Sequence, residues 1–115
     1  MAQYVPKQGD IVWLDFQPQA GHEQDGRRPA LVLSPDEYNH KVGLMLCCPI
    51  TKQIKGYPFE VQLKGTVRTK GAVLADQIKS LDWRARRAEY KERANVSVLR
   101  EALSKAQALL TYSEP

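Results

Sequence analysis

Three apolar stretches near the start of the chain decide the fold: GDIVWLDF at residues 9–16, PALVLS at 29–34 and GLMLCCPI at 43–50. The first alternates apolar and polar side chains and is rich in β-branched and aromatic residues, which is typical of a half-buried strand. The other two are short apolar runs bounded by glycine, proline or polar residues, which indicates buried strands. The chain therefore opens with three predicted strands.

Two shorter segments, PFEVQL at 58–63 and GAVLAD at 71–76, continue the strand pattern. Between the strands, glycine, proline, amide and charged residues gather, and these segments are expected to be loops. The predicted loops are 18–27, 35–40 and 52–57.

Only the C-terminal part of the chain has helical spacing, with Ser97 as the predicted N-cap. One apolar face is expected to pack on the sheet, formed by Leu99, Ala102, Leu103, Ala106, Leu109 and Leu110. Five short strands and one helix predict a mainly β protein, built as a small, strongly bent antiparallel barrel with a C-terminal helix.

Length and composition limit what the chain can contain. With 115 residues, 43% apolar and 26% charged, residues 1–115 are expected to form a single globular domain. The longest uncharged stretches, 42–51 and 106–113, are too short to cross a bilayer, and the N-terminus does not resemble a secretory leader. We therefore expect a cytoplasmic protein with no membrane contact.

The two cysteines, Cys47 and Cys48, are neighbours in a predicted strand, so their side chains point to opposite faces. A disulfide between them is not expected, and two ligands do not make a zinc site. The spacing of the histidines and carboxylates also indicates no metal site, and no cofactor is expected.

The net charge is +4 and the pI is near 9.2, which permits a polyanionic partner. Five basic residues lie within 52–70 and five more within 84–93. Charge alone leaves two interpretations open, a nucleic-acid surface or a solvated face that keeps the protein soluble.

The segment GHEQDGRRP at 21–29 concentrates ionisable side chains between glycines. His22 offers a base near neutral pH, Glu23 and Asp25 are acids, and Arg28 is a fixed cation, a mixture that acid–base chemistry needs. An ordinary solvated hairpin loop would also be polar, so the composition of the segment does not decide its function.

Four blocks resemble the MazF and Kid (PemK-like) family of toxins, in the same order and at similar spacing: YVPKQGDIVWLDF, GHEQDGRRPALVLSP, PITKQIKGYPFEV and ADQIKSLDWRAR. The resemblance covers almost the whole chain. It implies an SH3-like β-barrel, a homodimer, an antitoxin encoded beside the toxin, and sequence-specific endoribonuclease activity on single-stranded mRNA.

The resemblance also implies catalytic residues. Arg28 matches the catalytic arginine of the family, in the RP pair that opens the second strand, and can stabilise charge on a phosphate. Thr51 matches the active-site threonine. Glu23 matches the glutamate proposed as general base in some members, and His22 matches a histidine implicated in Kid, so the base is one of these two.

Two positions depart from the family pattern. Arg27 stands where many members have histidine, and is expected to contact RNA instead. Asp76 matches the catalytic aspartate of Kid, but Leu74 stands where Kid has its catalytic arginine, so Asp76 is expected to position other groups. The full set of expected RNA contacts is Arg27, Lys52, Lys55, Asp76, Gln77, Lys79 and Trp83.

The two tryptophans differ in context. Trp13 lies in the alternating first strand and is expected to be buried. Trp83, between Asp82 and Arg84, is expected at the surface, in contact with RNA or the antitoxin.

The expected reaction needs no metal, because RNA carries its own nucleophile in the 2′-hydroxyl. One alternative from another class stays open, since the same barrel also serves as a non-enzymatic toxin that binds and poisons a topoisomerase.

Overall fold

The structure is a computed structural model that describes residues 3–16 and 27–115. His22 and Glu23 therefore lie outside the described residues. Within the described part are seven strands and two helices: β1 Asp10–Asp15, β2 Arg27–Val32, α1 Asp36–Val42, β3 Leu44–Thr51, β4 Glu60–Gln62, β5 Ala72–Leu74, β6 Lys79–Asp82, β7 Glu89–Arg93 and α2 Val96–Leu110.

Strand β3 is the centre of an antiparallel sheet with the order β4-β5-β3-β2-β1-β7. One edge of β3 pairs with β2, while the other edge is divided between two strands. Its first half pairs with β6, from Leu44 opposite Asp82 to Cys47 opposite Lys79. Its end pairs with β5, where Thr51 lies opposite Ala72.

Both faces of the central strands are buried. A first core lies under α2 and contains Ile11, Leu31, Cys48, Ile50, Val61, Val73, Val98 and Ala102, among others. A second core on the opposite face contains Val12, Leu14, Ala30, Val32, Met45, Cys47 and Trp83. Because side chains from five strands meet in the first core, the sheet curves around it.

The predicted fold class is confirmed: the protein is mainly β, antiparallel, with a C-terminal helix. The path of the sheet ends at β4 and β7, and these two strands do not pair with each other in the described part. The sheet is therefore open and curved, and resembles a barrel without being closed by hydrogen bonds. Neither helix there has the length and apolar character needed to cross a membrane.

The predicted loop at 35–40 is wrong, because α1 occupies it. The sequence carried the signals of a short helix. Asp36 and Glu37 lie in the first turn and His40 and Lys41 in the last, which complements the helix dipole. Gly43 ends the helix in the left-handed conformation, with φ 83°.

Strands β6 and β7 were not predicted, because their sequences, KSLD and EYKER, are charged and mostly exposed. The prediction of Ser97 as N-cap of α2 is also wrong. The cap is Asn95, whose side chain accepts a hydrogen bond from the backbone N–H of Ser97. Leu109 and Leu110 were expected to pack on the sheet, but they are 49% and 76% exposed.

The expectation of free cysteines is confirmed. Cys47 and Cys48 are both buried and unpaired, and they belong to the two different cores. Burial raises the pKa of each thiol to about 12, which leaves the thiols protonated and unreactive at neutral pH.

The environments of the two tryptophans differ from those that the sequence indicated. Trp83 is 2% exposed, packs in the second core and donates its indole N–H to the carbonyl of Asn39 at 2.8 Å. The expected surface contact of Trp83 is therefore wrong. Trp13 is only partly buried.

Glu92, in β7, forms hydrogen bonds with the segment that connects β4 and β5. Its carboxylate accepts hydrogen bonds from the backbone N–H groups of Val67 and Arg68, at 3.1 and 3.0 Å, and from the hydroxyl of Thr69 at 2.6 Å. Partial burial opposes ionisation, but these hydrogen bonds lower the pKa of Glu92 below its ordinary value.

We expect Glu92→Gln to lower the free energy of unfolding at pH 7 by about 1 kcal/mol, because an amide accepts fewer and weaker hydrogen bonds than a carboxylate. A lowered native pKa stabilises the fold above the unfolded pKa of about 4.3, and this contribution disappears as the pH falls through the native pKa. The urea-unfolding free energy of the variant should thus change less between about pH 5 and pH 3. The matched control is Glu114→Gln, an exposed tail residue. Parallel pH curves for wild type and Glu92→Gln would contradict this interpretation.

Candidate functional site

A cavity of about 920 Å³ opens where β2 begins and β3 ends. Six of the twelve residues that line it within the described part are lysine or arginine, and none is acidic. We call it the basic cavity, and its lining residues are Trp13, Arg27, Arg28, Pro29, Ile50, Thr51, Lys52, Gln53, Arg68, Thr69, Lys70 and Lys91.

Strand pairing brings Arg28 and Thr51 to this cavity from positions 23 residues apart. Ala30 lies opposite Pro49 in the β2–β3 ladder, and the same register continued by two residues places Arg28 beside Thr51. Arg28 is exposed and precedes Pro29, whose ring fixes its own φ. Because Arg28 is exposed, its guanidinium can reach a ligand and form two parallel hydrogen bonds with it.

Thr51 ends β3 with its hydroxyl available as a donor. The hydroxyl oxygen accepts a hydrogen bond from the backbone N–H of Gln53 at 3.1 Å, which leaves its proton free to be donated to a ligand. The backbone of Thr51 lies against Gly71, which has φ 122° and no room for a side chain. A Cβ there would stand 2.0 Å from the carbonyl oxygen of Thr51.

Lys91 and Trp13 also line the basic cavity. The Lys91 ammonium donates to the carbonyl of Arg68 at 2.6 Å and to the hydroxyl of Thr69 at 2.7 Å. It also lies 5.0 Å from the centre of the Trp13 ring, in cation–π contact. Burial lowers the pKa of Lys91 below its ordinary value.

Arg27 lines the basic cavity, but its charge is already paired. Its guanidinium contacts the carboxylates of Asp15 and Glu89 and the carbonyl of Arg87, each at 2.9 Å. Asp15 is also bound by Arg87 at 2.8 Å. The hydrogen bonds from Arg87 first, and then from Arg27, lower the pKa of Asp15 below its ordinary value.

Five expected RNA contacts lie outside the basic cavity, and four of them are exposed. Lys55 lies between β3 and β4, where its backbone N–H donates to Glu60. Asp76 accepts a hydrogen bond from the hydroxyl of Tyr57 at 2.7 Å, which raises the pKa of Tyr57 to about 12. Gln77 lies in the turn after β5, and Lys79 is the exposed first residue of β6.

Asp76 was expected to position other groups, and the group it binds is the Tyr57 hydroxyl. Trp83 is buried and has no face to offer RNA, which corrects its place among the expected contacts.

Several residues of the basic cavity were missed in the sequence, although a signal was present. Arg68 and Lys70 belong to the first basic patch, 52–70, and Lys91 belongs to the second, 84–93. The sequence did not indicate that the two patches meet. They meet because Glu92 and Lys91 hold residues 67–69 against β7.

A second cavity, of about 770 Å³, is lined by Tyr4, Lys7, Asp10, Tyr90 and Arg93, with Gln3 and Val5. Its one acid, Asp10, is already bound to the hydroxyl of Tyr4 and to Arg93. The basic cavity therefore has the stronger unbalanced charge and is the better candidate for an anionic ligand.

The chain matches known proteins over most of its length. Residues 7–110 match the family model described as PemK-like, MazF-like toxin of type II toxin-antitoxin system. The endoribonuclease toxin MazF of Escherichia coli K12 is 57% identical over 91 residues, which cover 79% of this chain and 81% of that protein. The endoribonuclease PemK of Escherichia coli is 33% identical over 109 residues, covering 91% and 82%.

Solved structures agree with the sequence comparison. MazF (Form-I) from Deinococcus radiodurans superposes with a TM-score of 0.85 at 57% identity, covering 94% of this chain and 98% of that one. A MazE–MazF structure (Form-II) from the same organism gives a TM-score of 0.85 at 50% identity, covering 96% and 100%. Family model, relatives and structures together show that the chain belongs to the PemK-like, MazF-like toxins of type II toxin–antitoxin systems.

Proposed function

We propose that this MazF-like endoribonuclease toxin binds single-stranded RNA in the basic cavity and cuts it beside Arg28 and Thr51. The observation that carries this proposal is the meeting of a bidentate cation and a hydroxyl donor in a cavity lined by six basic residues and, in the described part, no acid. A phosphodiester is the ligand that such a set of donors fits.

The proposed reaction uses the nucleophile that RNA itself carries. A base removes the proton of the 2′-hydroxyl, the 2′-oxygen attacks the adjacent phosphorus, and the bond to the 5′-oxygen breaks as that oxygen takes up a proton. The products are a 2′,3′-cyclic phosphate and a 5′-hydroxyl. Arg28 stabilises the charge that develops on the phosphoryl oxygens, and Thr51 donates one further hydrogen bond.

The general base is proposed to be His22 or Glu23, on the strength of the family resemblance. A histidine titrates near neutral pH, whereas a glutamate needs a raised pKa to be as well matched to this step. The reaction is proposed to need no metal. RNA supplies its own nucleophile, so no metal-bound water is required for the attack.

Single-stranded RNA is the proposed substrate because unstacked bases expose their edges and faces to side chains. Trp13 offers a partly exposed aromatic side chain in the basic cavity, where Lys52 also lies. Lys55, Gln77 and Lys79 are exposed on neighbouring loops and strands, and we propose them as contacts for flanking nucleotides.

The non-enzymatic alternative, a toxin that poisons a topoisomerase, is not favoured. The relatives at 57% and 33% identity are both named endoribonucleases. A pure binding module would also have no need of Arg28 and Thr51 in the same cavity.

We further propose that the toxin is a homodimer and that an acidic, MazE-like antitoxin binds across the basic cavity. The MazF of Deinococcus radiodurans has been solved together with MazE. The net charge of +4 and the unbalanced cations of the cavity suit an acidic partner. A core this small also gains from burying the exposed apolar side chains at the end of α2 in a dimer.

We expect Arg28→Ala to lower the cleavage rate of an RNA oligonucleotide by on the order of 10² to 10³, because charge stabilisation in the transition state is lost. Thr51→Ala should cost roughly tenfold, the value of one hydrogen bond. The matched control is Arg100→Ala, an exposed arginine on α2, which should cut at the wild-type rate. Urea unfolding verifies that each variant is folded. Wild-type cleavage by folded Arg28→Ala would refute the proposed site.

Cleavage should persist in excess EDTA and stop when the target nucleotide is 2′-deoxy, because the 2′-hydroxyl is the proposed nucleophile. Mass spectrometry should detect a 2′,3′-cyclic phosphate or its hydrolysed product. Of His22→Ala and Glu23→Gln, the variant that removes the true base should show both a slower rate and an altered pH profile. Inhibition by EDTA, or equal cleavage of the 2′-deoxy substrate, is incompatible with this mechanism.

Multi-angle light scattering should give the mass of a dimer at micromolar concentration. In a separate experiment, calorimetric titration with the antitoxin should show binding whose affinity falls as the salt concentration increases, because opposite charges attract across the interface. The antitoxin should also protect RNA from cleavage, because it covers the basic cavity. The mass of a monomer would exclude the proposed homodimer. Antitoxin binding that does not depend on salt would exclude the proposal that opposite charges drive this binding.

A further inference from the structure

We infer that Arg27 is a positioning residue that fixes the backbone presenting Arg28, and that it does not itself bind RNA. The inference rests on the proposed function, since it concerns how Arg28 meets the phosphate. It is carried by an ion-pair cluster of four side chains, Asp15, Arg27, Arg87 and Glu89, which we call the Arg27 cluster.

The Arg27 cluster uses both ends of the Arg27 guanidinium. One terminal nitrogen contacts Asp15 at 2.9 Å, and the other contacts Glu89 and the carbonyl of Arg87, each at 2.9 Å. Arg87 completes the cluster by binding both oxygens of Asp15, at 2.8 and 3.3 Å. Two cations are thus balanced by two carboxylates, and the side chain of Arg27 is only 25% exposed.

The cluster joins the end of β1 and the start of β2 to the turn before β7. Asp15 and Arg27 are partners in the β1–β2 ladder, and the backbone N–H of Asp15 donates to the carbonyl of Arg86. Arg86 in turn donates to the carbonyls of Asp15 and Phe16, at 3.2 and 2.9 Å. These backbone and side-chain contacts hold the start of β2 in place.

Arg87 adopts a conformation that is unfavourable for a residue with a side chain. Its φ is 54°, in the left-handed region, and it is the only non-glycine residue of the described part with positive φ. Such strain persists where the surroundings hold the backbone in place. The contacts of Arg87 with Asp15 and Arg27 supply that restraint.

The consequence falls on Arg28, which lies between two fixed residues. Arg27 is held by its cluster, and Pro29 has its φ fixed by the ring. The backbone that presents Arg28 to a phosphate is thereby fixed before binding and does not need to reorganise.

The test separates positioning from binding by comparing rate with salt dependence. For Arg27→Met we expect the single-turnover cleavage rate to fall roughly 10- to 100-fold. The Kd for a 2′-deoxy copy of the oligonucleotide, and the slope of log Kd against log salt, should stay at wild-type values. A lost phosphate contact would instead change that slope by about 0.7. Arg100→Met, on the exposed face of α2, is the matched control.

Two further variants keep the test decisive. Asp15→Asn removes the cluster's central charge without removing a cation, so it should slow cleavage and leave the slope unchanged. Arg27→Lys keeps the charge but lacks the fork that contacts two carboxylates and a carbonyl, so its rate should lie between those of Arg27→Met and the wild type.

The possible outcomes are distinguishable. A slope changed by about 0.7 in Arg27→Met would identify Arg27 as a direct phosphate contact and overturn the inference. Wild-type cleavage by folded Asp15→Asn and Arg27→Met would show that the cluster has no role in the reaction. Failure of the wild type to cut any RNA would overturn the proposed function itself.

Discussion

The structure depends on the burial of β3 on both faces and its pairing along both edges. Cys48 and Ile50 pack into the first core, while Met45 and Cys47 pack into the second. Burying an aliphatic side chain of this size stabilises a fold by about 1.5–3 kcal/mol, so the strand is held strongly from both sides. Thr51, its last residue, is therefore presented from a fixed strand end, where it pairs with Ala72 of β5.

The charged side chains around β3 fall into two groups: those that form ion pairs or hydrogen bonds within the protein, and those that line the basic cavity. Arg27, Arg87 and Arg93 are held by carboxylates, and Glu92 accepts three hydrogen bonds from the β4–β5 connection. Arg27 also lines the basic cavity, but none of the residues that line this cavity in the described part of the chain is acidic. A modest net charge of +4 is thus concentrated at one place on the surface, which is what attraction of a polyanion requires.

The sequence predicted the strands that carry apolar runs and missed the elements that do not. Residues 9–16, 29–34 and 43–50 contain β1, much of β2 and β3 because alternation and apolar runs report burial directly. Strands β6 and β7 are held by backbone pairing with β3 and β1. Because their side chains are charged and mostly exposed, their sequences show no alternation of apolar and polar residues that would predict a strand. Arg28 was noticed in the ionisable segment at 21–29, but its catalytic role, and Thr51 altogether, were identified only through the family resemblance. Their proximity follows from the β2–β3 register, which spacing along the chain does not reveal.

The burial of Trp13 and Trp83 shows the same limit, since the burial of each indole depends on residues far away in the chain. Trp83 packs in the second core and donates its indole N–H to the carbonyl of Asn39 in α1, whereas Trp13 is only partly buried, beside Lys91. The chain has only these two tryptophans, so it carries two separate optical reporters. The fluorescence emission of Trp83 should report the packing of the second core. The emission of Trp13 should change when a ligand binds in the basic cavity. Replacing one indole at a time would let intrinsic fluorescence follow unfolding and ligand entry independently, without any attached dye.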